Sequence, residues 1–404
     1  MQSPAIVVIA YDRPEALKRL LCSIENAEYA DDVSPVLIIS IDKSDSDDVI
    51  NVAKEFKYSH GEKVIMARSE RMGLRAHVLA CGDLTEEYDS IIVLEDDLFV
   101  ASDFYGYACA ALDFCDGDDR IGAISLYDHR FNVHKRESFC AIDDGFDNYY
   151  LQLASSWGQA YSKKHWTAFK SWYAQNSDRD LSDPFVPENV TGWSDRSWLK
   201  YYIVYLIETN RYCLYPRVSL TTNFGDVGSH ADKSDTDLQV PLSGMTHRRY
   251  DFSTLECSQA VYDSFFEPVG YYEDGKIHLG KLKPAQGDGL CNLIVDLYGA
   301  KPVQKMIGSS QKDPGKNAVG YVLSSAYLPY KVLNSFGRQM RPVDANIKYN
   351  VCGKDFFLYD VNSPADPPPK GKEALRFFYE YRGISAARMI DMIKYRIFEK
   401  MGGN

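Results

Sequence analysis

Strand-like and helix-like apolar patterns alternate along the first 126 residues, and that alternation leaves room for one broad architecture. Short apolar runs at 6–10, 36–41, 64–67, 91–94 and 121–126 read as buried strands. Amphipathic stretches at 14–27, 46–56, 74–84 and 102–112 read as helices, the first opened by Pro14, whose missing N–H is no loss in a first turn. Strands separated by helices at this spacing predict an α/β fold: a Rossmann-like, mostly parallel sheet flanked by helices.

Further helices are expected at 163–174 and 196–209 and a strand at 211–220, followed by a polar loop over 221–237 of the length lids have. Beyond residue 250 the pattern weakens, with helices expected at 259–265, 289–298 and 331–336. Pro367-Pro368-Pro369 makes 364–372 a stiff linker, and Ala386, Ile390, Ile393, Ile397 and Met401 place an amphipathic helix over 373–401. The expected division is a nucleotide-binding domain over 1–250, a smaller mixed accessory region over 251–363, and linker plus helix over 364–404.

A formal charge of -12 argues against nucleic acid as a partner, because a phosphate backbone demands a basic face. A phosphate-bearing substrate would then need a metal ion or local cations. Nine scattered cysteines without ligand spacing, no apolar run of membrane-spanning length and no signal-peptide pattern predict a soluble cytoplasmic protein. From Lys370 onward eight Lys/Arg face four Asp/Glu, so the last helix would suit peripheral contact with anionic lipid at the inner membrane; packing against the catalytic domain is the plainer alternative.

In parallel sheets ligands sit beyond the carboxyl ends of the strands, where this chain carries Tyr11-Asp12-Arg13, Asp42, Arg68 and Glu95-Asp96-Asp97. The last group is the sharpest signal. An apolar strand, Ile91 to Leu94, delivers three adjacent carboxylates that repel one another and need a cation. Such hard oxygen ligands suit Mg²⁺ or Mn²⁺, which take one or two carboxylates and complete their shell with phosphate oxygens and water. A solvated acidic turn is the alternative.

Asp42 could accept from a base N–H or cap its loop, Arg13 could meet a uracil carbonyl or a phosphate or lie on the surface, and His77 or Arg75 could reach a phosphate or simply pack. Trp193-Ser194-Asp195-Arg196-Ser197-Trp198 sets a carboxylate between two indoles, where desolvation would raise its basicity. The same residues also read as a helix N-cap at Ser194 or Asp195.

These segments, in order along about 230 residues, resemble the GT-A family of the Golgi N-acetylglucosaminyltransferase that initiates complex N-glycans and its O-mannose relatives. Val7-Val8-Ile9-Ala10-Tyr11-Asp12-Arg13 is similar to the family's opening strand and donor-contacting Arg. Ile39-Ser40-Ile41-Asp42 resembles the strand ending in a uracil-binding Asp, and His77 sits where the family has a donor-site His. Val93-Leu94-Glu95-Asp96-Asp97, with Ala101-Ser102-Asp103-Phe104 downstream, is the most specific stretch. By resemblance Asp97 would bind Mn²⁺, while Glu95 and Asp96 would hold donor sugar and ribose.

The resemblance further implies that Asp195, in Trp193-Ser194-Asp195, is the catalytic base of an inverting transfer, although only one acid of the family's pair is present. Ser156-Trp157-Gly158 is a second landmark. Asn223-Phe224-Gly225 with Gly228-Ser229-His230 is similar to a loop that folds over the donor, so Trp157, Trp193, Phe224, Ser229 and His230 become acceptor or lid candidates. Asp296-Leu297-Tyr298-Gly299 and 338–360 are similar to bacterial glycosyltransferases of surface-polysaccharide synthesis, so a form without the Golgi enzymes' membrane anchor is expected.

The expected function is therefore transfer of a sugar, N-acetylglucosamine as the best choice, from a UDP-sugar to a saccharide acceptor that could be lipid-linked. A sugar nucleotidyltransferase would need a Gly-rich first loop, which Ala10-Tyr11-Asp12-Arg13 lacks. An inactive carbohydrate-binding or scaffolding subunit would be expected to lose the metal acid, yet Asp97 is present.

Overall fold

A computed structural model describes residues 2–226, 238–246, 249–283, 291–312, 319–365 and 390. Contacts divide the chain into two units, Met1–Phe266 and Glu267–Asn404. Most of the 364–404 linker and helix, and Ser229 and His230 in the 221–237 loop, lie outside the described residues.

The first unit opens as the alternation predicts. β1 (Ala5–Ala10), α1 (Pro14–Glu25), β2 (Leu37–Ile41), α2 (Asp48–Glu55) and β3 (Lys63–Ala67) follow one another. Next come α3 (Leu74–Gly82), a short α4 (Thr85–Tyr88), β4 (Ser90–Glu95), β5 (Leu98–Val100), α5 (Phe104–Cys115) and β6 (Ile121–Ser125). Two small strands, β7 (Phe131–Asn132) and β8 (Glu137–Ser138), precede β9 (Asn148–Leu151), β10 (Gln159–Ser162) and α6 (Lys163–Asn176). The unit closes with α7 (Glu188–Thr191), α8 (Trp198–Glu208), β11 (Tyr212–Pro216), β12 (Thr221–Asn223) and β13 (Val261–Tyr262).

The main sheet runs β13-β9-β11-β6-β10-β4-β1-β2-β3. β1 to β4 are mutually parallel, and β10 enters antiparallel between β4 and β6. The sheet is thus mostly parallel and flanked by helices, as expected for the α/β class. The chain steps from β1 outward to β2 and β3, then returns to place β4 on the other flank of β1. Strand order reverses between β1 and β4, and a crevice at the carboxyl ends of those two strands is where this geometry accommodates a ligand.

Helices cover the sheet through their apolar faces. α1 buries Ala16, Leu17, Leu20, Leu21 and Ile24, and α6 and α8 interlock through Trp166, Phe169, Tyr202 and Tyr205. α3 ends at Gly82, where a Cβ would lie 1.9 Å from Cζ2 of the buried Trp166, so only glycine admits this approach of the indole.

The second unit carries β14 (Gly270–Glu273), β15 (Lys276–Leu279), β16 (Cys291–Asp296), α9 (Val303–Lys312), β17 (Val319–Ser324), β18 (Tyr330–Phe336), α10 (Ala345–Lys348) and β19 (Phe356–Pro364). Its sheet runs β15-β14-β16-β17-β19-β18, with β16 and β17 the parallel pair.

Three expected helices are strands. Segment 259–265 contains β13, which adds to the main sheet beside β9. Segment 289–298 contains β16, paired on both edges, and 331–336 lies within β18. A short apolar run such as Leu293-Ile294-Val295 fits either period, and sheet partners distant in sequence decide the matter.

Candidate active site

The crevice between the ends of β1 and β4 opens into a cavity of about 1050 Å³ within the first unit. Four strand ends or loops supply its floor and walls: Tyr11-Asp12-Arg13 after β1, Asp42 after β2, Arg71 to His77 at the entry of α3, and Glu95-Asp96-Asp97 at the end of β4. Trp157, Asp195, Arg196, Asn223, Gly225 and Asp226 also line it.

The acidic turn is held from two sides. β5 leaves it immediately and pairs antiparallel with β12, and the Phe224 amide donates to the Asp97 carbonyl at 3.0 Å. From the other side Arg13 reaches across: its Nη1 donates to Asp97 Oδ2 at 2.9 Å, and its Nη2 pairs with Asp96 Oδ1. The cation required by three adjacent carboxylates is therefore supplied in part by the protein.

Arg13 supplies one positive charge against three carboxyl groups. Burial pushes the Asp96 carboxyl up to about 6 against the pull of Arg13, and burial with the charges of Asp97 and Asp96 pushes Glu95 up as well. Asp97 Oδ1 is buried without a hydrogen-bond partner. An orphaned carboxylate oxygen at a cavity wall, beside excess negative charge, fits a hard divalent cation. Among the described residues no group of three or more His, Cys, Asp or Glu is arranged to hold a metal ion. One or two carboxylates completed by phosphate and water would be the applicable ligand set.

Asp42 is 4% exposed and works as a loop cap: Oδ1 accepts from the amides of Lys43 and Met72 at 2.9 and 2.8 Å, and Oδ2 from Gly73 at 2.9 Å. It thereby fixes the entry of α3 against the end of β2. His77 lies deeper, bonded through Nε2 to Ser40 Oγ at 2.8 Å, and burial lowers its pKa to about 4, so it is neutral near pH 7. Trp157 lies against Tyr127, with ring centroids 4.7 Å apart.

Asp195 lines the cavity but differs from the expectation of a carboxylate desolvated between indoles. Its side chain is 84% exposed, and Lys200 Nζ donates to its Oδ1 at 3.3 Å. The reason is that α8 starts later than its cap signals suggest. Ser197, not Ser194 or Asp195, accepts the Lys200 amide as N-cap, which leaves 194–196 in an exposed turn closed by the Ser197 amide on the Ser194 carbonyl at 3.0 Å. Trp198 packs into the core, whereas Trp193 stays half-buried and does not line the cavity.

Phe224 sits beside the cavity under the Arg19 guanidinium, 3.9 Å from the ring centroid. Arg19, from α1, also forms a two-pronged pair with Asp226. Sequence reasoning missed Arg19, Asp226 and Arg71. Inspecting residues just past each strand points to Arg68, three positions short of Arg71, and no local pattern joins Arg19 to a residue 207 positions away.

The sequence matches no family model. Among solved structures the chain is similar to the mannosyltransferase PcManGT from Pyrobaculum calidifontis in complex with GDP-Man and Mn²⁺, at 14% identity and TM-score 0.31, over 43% of this chain and 47% of that one. It is also similar to S. aureus TarS 1-349 in complex with UDP-GlcNAc, at 12% identity and TM-score 0.37, over 56% of this chain and 60% of that one. The match spans less than two thirds of either protein's length.

Proposed function

We propose that the chain is a metal-dependent GT-A-type glycosyltransferase. In this reading it moves a sugar, N-acetylglucosamine by preference, from UDP to a saccharide hydroxyl with inversion, in the assembly of a bacterial surface polysaccharide. One observation carries the reading: Arg13, Asp42, the acids Glu95 to Asp97 and Asp195 come from distant segments and line one cavity at the point where strand order reverses.

In this reading Asp97, whose Oδ1 has no hydrogen-bond partner, would hold the divalent ion, Mn²⁺ or Mg²⁺, which would supply charge stabilisation to the departing diphosphate. Glu95 and Asp96 accept hydroxyls of the donor, and Arg13 keeps the acidic turn in place while facing the same phosphates. The loop tied by Asp42 holds the nucleotide end. Asp195 takes the proton of the acceptor hydroxyl as its oxygen bonds to the anomeric carbon, and the bond from that carbon to the diphosphate oxygen breaks with its electron pair leaving on UDP.

The test is a panel of UDP-sugars assayed for stabilisation and UDP release, with and without Mn²⁺ and chelator. Metal-dependent stabilisation by at least one donor is expected. Asp195→Asn should keep donor binding and lose transfer by about a hundredfold or more. Stabilisation by no nucleotide sugar overturns the reading, and transfer undiminished in Asp195→Asn removes that residue as base.

A further inference from the structure

We propose that Arg75 and Arg196, with Arg71 adjoining, form an oxyanion subsite that takes a phosphate or carboxylate carried by the acceptor. The inference rests on the functional reading above for the position of the base and deepens it by naming the acceptor's chemistry.

The chain carries a formal charge of -12, and the cavity floor is acidic, yet four arginines, Arg13, Arg71, Arg75 and Arg196, line the same cavity. Arg13, Arg19, Arg120, Arg130, Arg179 and Arg217 all pair with carboxylates, whereas Arg71, Arg75 and Arg196 form no salt bridge among the described residues. Two are positioned by aromatic rings, which leave the positive charge unneutralised. Arg71 lies 4.7 Å from the Tyr11 ring centroid. Arg75 donates from Nη1 to the Tyr201 hydroxyl at 3.0 Å and lies 5.3 Å from that ring's centroid. A guanidinium held this way keeps most of its five donors for a ligand, in a fork that matches a carboxylate or phosphate.

Placement assigns the anion to the acceptor. Arg75 sits in the first turn of α3 and is tied to Tyr201 of α8, and Arg196 directly follows Asp195 in the turn before α8. Both cations therefore belong to the wall that carries the proposed base, while in the functional reading above the diphosphate would be held by the cation at Asp97, at the end of β4. An anion held beside the base lies on the molecule whose hydroxyl the base deprotonates.

The test titrates inorganic phosphate, and in a second arm glucuronate, into protein saturated with UDP and Mn²⁺, comparing wild type with Arg75→Gln/Arg196→Gln. Wild type should take up at least one of the anions, and the stronger arm identifies the group. The double variant should bind it about tenfold or more weakly, as expected for losing charge-assisted hydrogen bonds. UDP affinity, which also reports correct folding, should fall much less than anion affinity, because the subsite is assigned to the acceptor. Three results overturn the proposal: UDP binding falls as far as anion binding, the anion competes with UDP, or neither anion binds the loaded wild type. A wild type that takes no UDP yet binds phosphate through Arg75 and Arg196 sinks the functional reading and leaves the oxyanion subsite standing.

Discussion

Replacing Arg13 by Gln removes the guanidinium that pairs with both Asp96 and Asp97. Their side chains are 4% and 13% exposed, so the freed charges would be poorly hydrated from the cavity. Breaking a fully buried pair costs about 3–5 kcal/mol, but the Arg13 side chain is 24% exposed and part of that is screened, which leaves about 2–3 kcal/mol. For a domain of this size each kcal/mol lowers the melting temperature by roughly 2–4 °C, so a fall of about 5–10 °C is expected in thermal denaturation without metal. Asp97→Asn should leave the metal-free melting temperature level or raise it, because it relieves repulsion while keeping the Arg13–Asp96 pair. In that background Arg13→Gln should cost about 1–2 kcal/mol less than in the wild type. A melting temperature unchanged by Arg13→Gln, or strict additivity in the cycle, would refute the view that Arg13 is the counter-ion of the acidic turn.

Gly82→Ala drives a methyl group into the Trp166 ring, with a starting approach of 1.9 Å. It should destabilise the first unit by about 1–3 kcal/mol or more, read as a lower midpoint in urea; an unchanged midpoint contradicts the packing described. His165 is 3% exposed at the start of α6, and burial lowers its pKa from 6.5 to about 4. The unfolded chain then binds the extra proton between those values, so the contribution of His165 to stability falls as pH drops through that window, by up to about 3 kcal/mol. His165→Gln, which keeps a capping side chain at that position, should flatten this slope, and an unchanged slope rules out His165 as its source.

The parallel half of the sheet was legible because its strands, such as Ile6 to Val8 and Ile91 to Leu94, are buried on both faces and so read as continuous apolar runs between amphipathic helices. Arg13, Asp42 and the acidic triplet were legible for the same reason, since each directly follows such a strand. Asp195 entered by its short aromatic context, but its exposure did not, because Ser197 caps α8 and no residue type reveals which of several serines will do so. β16 and β18 were misread since a strand of the second unit is defined by partners as distant as Val319 or Phe356, which periodicity cannot register. The Arg19–Asp226 pair and the cationic wall of Arg71, Arg75 and Arg196 arise only when the sheet brings those segments together.

Calorimetric titration of Mn²⁺ into the protein with and without UDP, repeated with Asp97→Asn, tests most directly whether the acidic turn at the end of β4 grips a cation against a diphosphate. The account predicts Mn²⁺ uptake that UDP strengthens at least tenfold in the wild type and that Asp97→Asn abolishes, in line with a shell completed by phosphate oxygens. Uptake that is indifferent to UDP, or equally strong in Asp97→Asn, would contradict it.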